Sequence, residues 1–302
     1  MNKTITYLLH AGCNEKCVFC FNHWREEGHM NEISFADKQK IMQKILALHP
    51  KMLTLSGGEP LLDKDFLLLL RYIREKDQAL PLSIQTNATY LTGIYTAEMK
   101  KQKVSYLFIS LHGSENVHNT LTQSNFYRKT IAGIRAARRV GIPVVINTVV
   151  TKRNVHDIPF FLSSLAALDI SAVQLSTIYG AGSALRHWSD IAPSDNEQKQ
   201  LVHALHTQNY PFPLFLHAFE KKMLEGTRFH TDSCGAGEEE FAIFPNGDVT
   251  LCPAWEQTYG NILRDSWEKI EYNMQHGLLQ EKEIKSLCHE CGGCALAQKT
   301  AA

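Results

Sequence analysis

Eight of the 302 residues are cysteines, and they fall into two groups. Cys13, Cys17 and Cys20 stand as CxxxCxxC near the start, and Cys234, Cys252, Cys288, Cys291 and Cys294 lie near the end, with none in residues 21–233. In a reducing compartment such groups more often bind metal than form disulfides. Three closely spaced thiolates hold three corners of a cubane iron–sulfur cluster, whereas four close it. No fourth cysteine stands near Cys20. One iron is therefore left open to an external ligand, which signals catalysis rather than structure, as it does for zinc. A zinc loop is the competing reading, with His23 or His29 as fourth ligand.

The thiols need elements to hold them. Strand-like apolar runs occur at 5–11, 52–57, 82–87, 106–112, 144–150 and 172–178. Amphipathic helical stretches lie between them near 34–49, 63–77, 95–102, 125–141 and 154–168. Start signals are Ser34 three residues before Asp37 and Asn154 three before Asp157. Gly141-Ile142-Pro143 ends one helix and launches a strand. Apolar strands separated by helices imply a parallel sheet covered on its faces. Six such units suit a barrel or most of one. The first cysteine group then sits on the loop leaving strand one, at the C-terminal face where such barrels place their chemistry. After about residue 190 the rhythm changes. Ser194 and Glu197 form a capping box for a helix to about 207, and Asn246-Gly247 signals a hairpin with a type I′ turn. Helices are expected near 265–276 and 280–287. The fold class is therefore α/β: a partial (β/α)6 TIM-like barrel over 1–190, then a small α+β domain with a β-hairpin over 191–302.

CxxxCxxC after strand one, together with Gly57-Gly58-Glu59-Pro60 after strand two, resembles the radical S-adenosylmethionine (SAM) family. The resemblance implies that Cys13, Cys17 and Cys20 hold a SAM-binding 4Fe–4S cluster and that the GGEP segment meets the amino group of SAM. Phe19 occupies the aromatic place before the third cysteine. Asn87, Ser110 and Asn147, at or near the ends of strands three to five, resemble the family's SAM-contacting polar residues. Val173 and Leu175 sit where the family packs the adenine. The implied chemistry is reductive cleavage of SAM to a 5′-deoxyadenosyl radical, which abstracts a hydrogen atom from substrate; the protein places that substrate and excludes side reactions.

Cys234-x12-Gly247-x4-Cys252 resembles the opening of the SPASM/Twitch auxiliary-cluster pattern. Geometrically, the hairpin brings Cys252 back alongside the segment leaving Cys234. The full pattern has seven cysteines, and this chain has five in that region. Five thiolates cannot ligate two cubanes, which would take about eight. One auxiliary 4Fe–4S cluster, held by Cys234, Cys252 and two of Cys288, Cys291 and Cys294, leaves one thiol over. It is a hydrogen-atom donor, a buried bystander, or a sign that only three ligate and one iron binds substrate. A four-thiolate structural zinc site is the alternative.

Composition narrows the partners. Lys+Arg 31 balances Asp+Glu 31, which argues against a phosphate-neutralising surface and hence against nucleic acid. No apolar run reaches the ~18 residues of a membrane span, and the N-terminus lacks a convincing signal peptide. Cytoplasm is the expected compartment. His112, Tyr179, Arg186, Lys152 and Arg153 are further candidates near the expected barrel mouth. The expected activity is radical SAM modification of a ribosomally synthesised peptide, with an electron donor such as flavodoxin or ferredoxin. The alternatives are a dehydrogenase or epimerase of a carbohydrate or aminocyclitol, and a non-catalytic metal-binding barrel.

Overall fold

The computed structural model describes residues 2–22, 33–219, 221–229, 231–232 and 235–280. Cys234, Cys288, Cys291, Cys294 and the helix expected near 280–287 lie outside the described residues. The six expected strands are all present: β1 (Thr4–Leu8), β2 (Met52–Ser56), β3 (Leu82–Thr86), β4 (Tyr106–Ser110), β5 (Val144–Val149) and β6 (Ala172–Ser176). They pair in sequence order and in parallel. The sheet runs on past residue 190. β7 (Leu214–His217) and β8 (Thr231–Asp232) extend it in parallel beyond β6. At the other edge β9 (Glu240–Ile243) pairs in parallel with β1, and β10 (Val249–Thr250) returns antiparallel to it. The sheet thus stays open between β10 and β8, and the C-terminal ends of β1–β9 share one edge.

Between the strands run α1 (Phe35–Ala47), α2 (Phe66–Lys76), α3 (Gly93–Lys101), α4 (Glu115–Thr122), α5 (Tyr127–Arg139) and α6 (Ile158–Ser164). Then come α7 (Ser183–Arg186), α8 (Trp188–Ile191), α9 (Asp195–His206), α10 (Lys221–Leu224) and α11 (Trp267–Gln280). Ser34 caps α1 by accepting from the Asp37 N–H, and the Ser194–Glu197 box opens α9. Asn154 does not cap α6, which begins after Asp157. Asn154 is fully buried, accepts from the Thr151 N–H and donates to the carbonyls of His112 and Val149, so it ties down the loop after β5.

One face of the sheet is the core. Ile5, Leu53, Leu55, Ile84, Leu107, Ile109, Ile146, Val173 and Leu175 are fully buried in one cluster with Ile41, Leu70, Phe161 and Leu201 of the helices. Cover on both faces holds at β1 to β3, where Thr6, Thr54 and Ser83 are buried as well, and is incomplete further along the sheet. β4 and β5 alternate buried and half-buried positions, leaving Tyr106, Phe108, Ser110, Val145, Asn147 and Val149 half-open on the inner face. A sheet that does not close cannot fill its interior with its own side chains as a full barrel does.

The hairpin is where expected, but its turn is not type I′. The Gly247 N–H bonds the Phe244 carbonyl at 2.9 Å, only Gly247 takes a positive φ (89°), and Asn246 does not. Pro245 is pre-set for the second position of a type I turn, and the glycine that follows supplies the left-handed residue.

Candidate active site

The first cysteine group leaves the C-terminal end of β1 and is fastened on three sides. Lys16 and Val18 donate their N–H groups to Thr122 and Leu121 at the end of α4 (3.0 Å each). The Ala184 N–H of α7 bonds the Cys20 carbonyl at 3.3 Å. Asn14, inside the motif, is held by Asn87, whose Nδ2 donates to Asn14 Oδ1 at 2.8 Å. Asn87 Oδ1 accepts from Thr89, which in turn accepts from Asn14 Nδ2. The Asn87 amide therefore serves the cysteine loop. Cys13, Cys17 and Cys20 are half-buried. Among the described residues no three Cys, His, Asp or Glu side chains converge into a ready-made metal cage.

The Gly57-Gly58-Glu59-Pro60 segment leaves β2 and lies directly under this loop. The Gly58 N–H bonds the His10 carbonyl and the Glu59 N–H the Gly12 carbonyl, both at 2.8 Å. A Cβ on Gly58 would collide with the Gly12 carbonyl oxygen, and one on Gly57 (φ 144°) would come 2.7 Å from the His10 oxygen. Only glycine permits this approach. Glu59 is wholly buried. Its carboxylate accepts from the Thr86 hydroxyl at 2.6 Å, the Asn87 N–H at 2.7 Å and the Leu61 N–H at 3.1 Å. It thus locks β2, β3 and the turn together, and Pro60 starts the short 3-10 turn Pro60–Leu62 behind it.

Burial pushes the Glu59 carboxyl up to about 7, against the pull of those three hydrogen bonds. A carboxyl raised in the folded state contributes stability below its unfolded pKa, near 4.5, and loses it as pH rises through the folded value. Glu59→Gln has no such dependence. Its stability deficit against wild type should shrink by about 3 kcal/mol between pH 4.5 and 7.5. Urea unfolding of the metal-free chain across that range measures it, and a pH-independent deficit would refute the assignment.

Behind Phe19 lies His112, a candidate from sequence, in a buried polar group with His118, which the sequence did not single out. The Phe19 ring meets His112 edge-on (4.5 Å between centroids), and His112 stacks on His118 at 5.8 Å. His112 Nδ1 accepts from the Val149 N–H and His118 Nδ1 from the His112 N–H, both at 3.2 Å. Burial, then the neighbouring His118, holds His112 well below the ordinary histidine range, and burial lowers His118 to about 4. Both rings are thus neutral supports at pH 7. His118 Nε2 stands 3.9 Å from buried Glu15, which lies between Cys13 and Cys17.

The inner face supplies the remaining wall. Ser110, Asn147, Gln174 and Phe215 lie in one register row across β4 to β7. Asn147 Oδ1 accepts from Ser176 at 3.0 Å, and Phe215 is 50% exposed. Val173 and Leu175 are on the opposite strand face, under the helices, because side chains alternate along a strand. Neither lines the space beside Phe19. Ile178, two residues past β6, does: it packs with Phe19, Val18, Leu121 and Val149. Tyr179 hydrogen-bonds His217 at 2.8 Å and meets Phe21 edge-on at 5.9 Å. Tyr179, Phe21 and Cys252 pack on Ala181 and Ala254, so the two cysteine regions share one apolar contact. Lys152 and Arg153 are exposed on their turn.

Three half-buried thiols at a strand's C-terminal edge, on a loop that the Gly58 and Glu59 N–H groups bind back to the glycine turn, are the donor set that an open iron–sulfur cubane takes. Residues 7–164 match the radical SAM superfamily, and residues 234–295 match the SPASM iron–sulfur cluster-binding domain. The chain belongs to the radical SAM superfamily, whose chemistry requires 4Fe–4S clusters and SAM. The chain is 26% identical to the AdoMet-dependent heme synthase of Methanosarcina barkeri (96% of this chain, 88% of that protein). It is 25% identical to the mycofactocin maturase MftC of Mycolicibacterium smegmatis (95% and 75%). Its fold resembles Streptococcus suis SuiB bound to the precursor peptide SuiA, with TM-score 0.72, 21% identity, 97% of this chain and 70% of that one. The barrel is thus partial, as its open sheet requires. No helix among the described residues is long and apolar enough to cross a membrane.

Proposed function

We propose that this radical SAM enzyme matures a ribosomally synthesised peptide. In this reading Cys13, Cys17 and Cys20 hold the SAM-binding cluster, and Cys252 joins Cys234 and two of Cys288, Cys291 and Cys294 around one auxiliary cluster. When bound, cluster and SAM supply a 5′-deoxyadenosyl radical that takes a hydrogen atom from the substrate. The chain's residues do the rest. The turn at Gly57-Gly58 accepts hydrogen bonds from the cofactor's donors. Phe19 and Ile178 give an apolar seat for its adenine. Ser110, Asn147, Gln174 and Phe215 form a wall that is part polar and part aromatic, suited to a chain of amides and side chains. A flavodoxin- or ferredoxin-type protein supplies the electron, in the reducing cytoplasm.

The observation that carries the SAM assignment is the joint between cysteine loop and glycine turn, where the Gly58 and Glu59 N–H groups bond back to the loop. The peptide assignment is supported by the maturase, which this chain matches over 95% of its length. A second reading, action on a tetrapyrrole, is favoured by the heme synthase, which matches a larger share of both chains. Anaerobic reconstitution with dithionite separates them. About eight irons per chain and formation of 5′-deoxyadenosine are expected. A peptide encoded beside this gene should change mass in step with 5′-deoxyadenosine. A shifted Soret band and turnover with an iron porphyrin would transfer the assignment to tetrapyrroles. Zinc content with intact SAM would sink both.

A further inference from the structure

We propose that Asn22, two residues past Cys20, accepts a hydrogen bond from the α-ammonium group of SAM. This rests on the SAM assignment above. Asn22 reaches from the cysteine loop to the glycine turn, where its Nδ2 donates to the Gly57 carbonyl at 3.3 Å. The other end of the same amide, Oδ1, is buried and has no hydrogen-bond partner among the described residues. A buried carbonyl without a donor is unusual in a folded protein.

The donors around it are already engaged. The N–H groups of Gly58 and Glu59 go to His10 and Gly12. The His10 ring bonds the Glu59 carbonyl at 2.8 Å and the Gly12 N–H at 3.1 Å. What is left at the joint among the described residues is acceptors: the Gly58 carbonyl, the second lone pair of the Gly57 carbonyl and Asn22 Oδ1. Such a patch recruits a donor, and a charged one most strongly. A carboxylate or sulfonium brings no donor. An ammonium brings three, and the amino-acid end of SAM has one. Because Asn22 belongs to the cysteine loop while its partners belong to the turn after β2, the ammonium would add a further fastening between the two segments.

The test uses the cluster-loaded full chain and measures equilibrium binding of two probes. S-adenosylmethionine carries the ammonium; 5′-methylthioadenosine keeps the adenosine and lacks the amino acid. A hydrogen bond to a charged group corresponds to about tenfold to a hundredfold in affinity. Asn22→Ala should lose that for SAM, with 5′-methylthioadenosine binding and iron content unchanged. Asn22→Asp keeps an acceptor and should hold SAM within about threefold of wild type or tighter. Wild-type SAM affinity in Asn22→Ala, or equal losses for both probes, would overturn the proposal. A wild-type chain that binds neither probe would instead overturn the SAM assignment itself.

Discussion

Gly58→Ala will uncouple the SAM site from an otherwise folded chain. The added methyl group collides with the Gly12 carbonyl and comes within 2.5 Å of the Ala11 carbonyl, both backbone oxygens of the cysteine loop. Backbone cannot rotate out of the way as a side-chain tip can, so the turn and the loop must separate. That breaks the bonds from Gly58 to His10 and from Glu59 to Gly12. The expected cost is about 1–3 kcal/mol, as for other overpacked sites. SAM affinity should fall by about a hundredfold or more, because every acceptor in the patch moves together. Gly93→Ala is the control: nothing lies within 4 Å of its added methyl, at the start of α3. Thermal unfolding with SAM binding on both variants checks the expectation. Wild-type affinity in Gly58→Ala would show that the joint is not what shapes the site.

The strands were legible as short apolar runs, such as 52–57, 106–112 and 144–150, each separated from the next by a helical stretch. Parallel βα units of this kind need no long-range information to be recognised. The cysteine loop and glycine turn were legible for a different reason. Thiols and paired glycines are uncommon, and each tolerates few alternative roles. What was hidden depends on side-chain direction. Leu175 was read as a cofactor contact because it lies on the right strand, but a shift of one residue in a strand reverses the face. Asn87 was read by its place at a strand end, and its amide is instead taken up by Asn14, a partner 73 residues away. α4 was missed because Asn116, Asn119, Thr120 and Thr122 weaken its helix propensity, and it forms by packing His118 and Leu121 inward. β7 and β8 are too short to announce themselves, though β7 places His217 beside Tyr179. Asn22 carried no signal at all beyond its distance from Cys20.

Single alanine replacements of the cysteines should divide into two phenotypes. Cys13→Ala, Cys17→Ala and Cys20→Ala each leave two thiolates for a cubane that needs three to leave one iron open. SAM then has no seat for electron transfer, and 5′-deoxyadenosine formation should drop to the level of the metal-free chain. Cys252 lies beyond β10 and, like Phe21, packs on the Ala181–Ala254 contact. The first loop has its own fastenings, through Thr122, Leu121, Asn87 and Ala184. Cys252→Ala should therefore keep SAM cleavage while product formation from the peptide falls at least tenfold, and iron should drop from about eight to about four per chain in either class. The comparison that decides is the ratio of product to 5′-deoxyadenosine, which the first class leaves undefined and the second drives toward zero. If Cys252→Ala abolished SAM cleavage as fully as Cys17→Ala, the two regions would form one interdependent centre, and the shared contact at Tyr179 and Phe21 would be its mechanical link rather than a boundary between two.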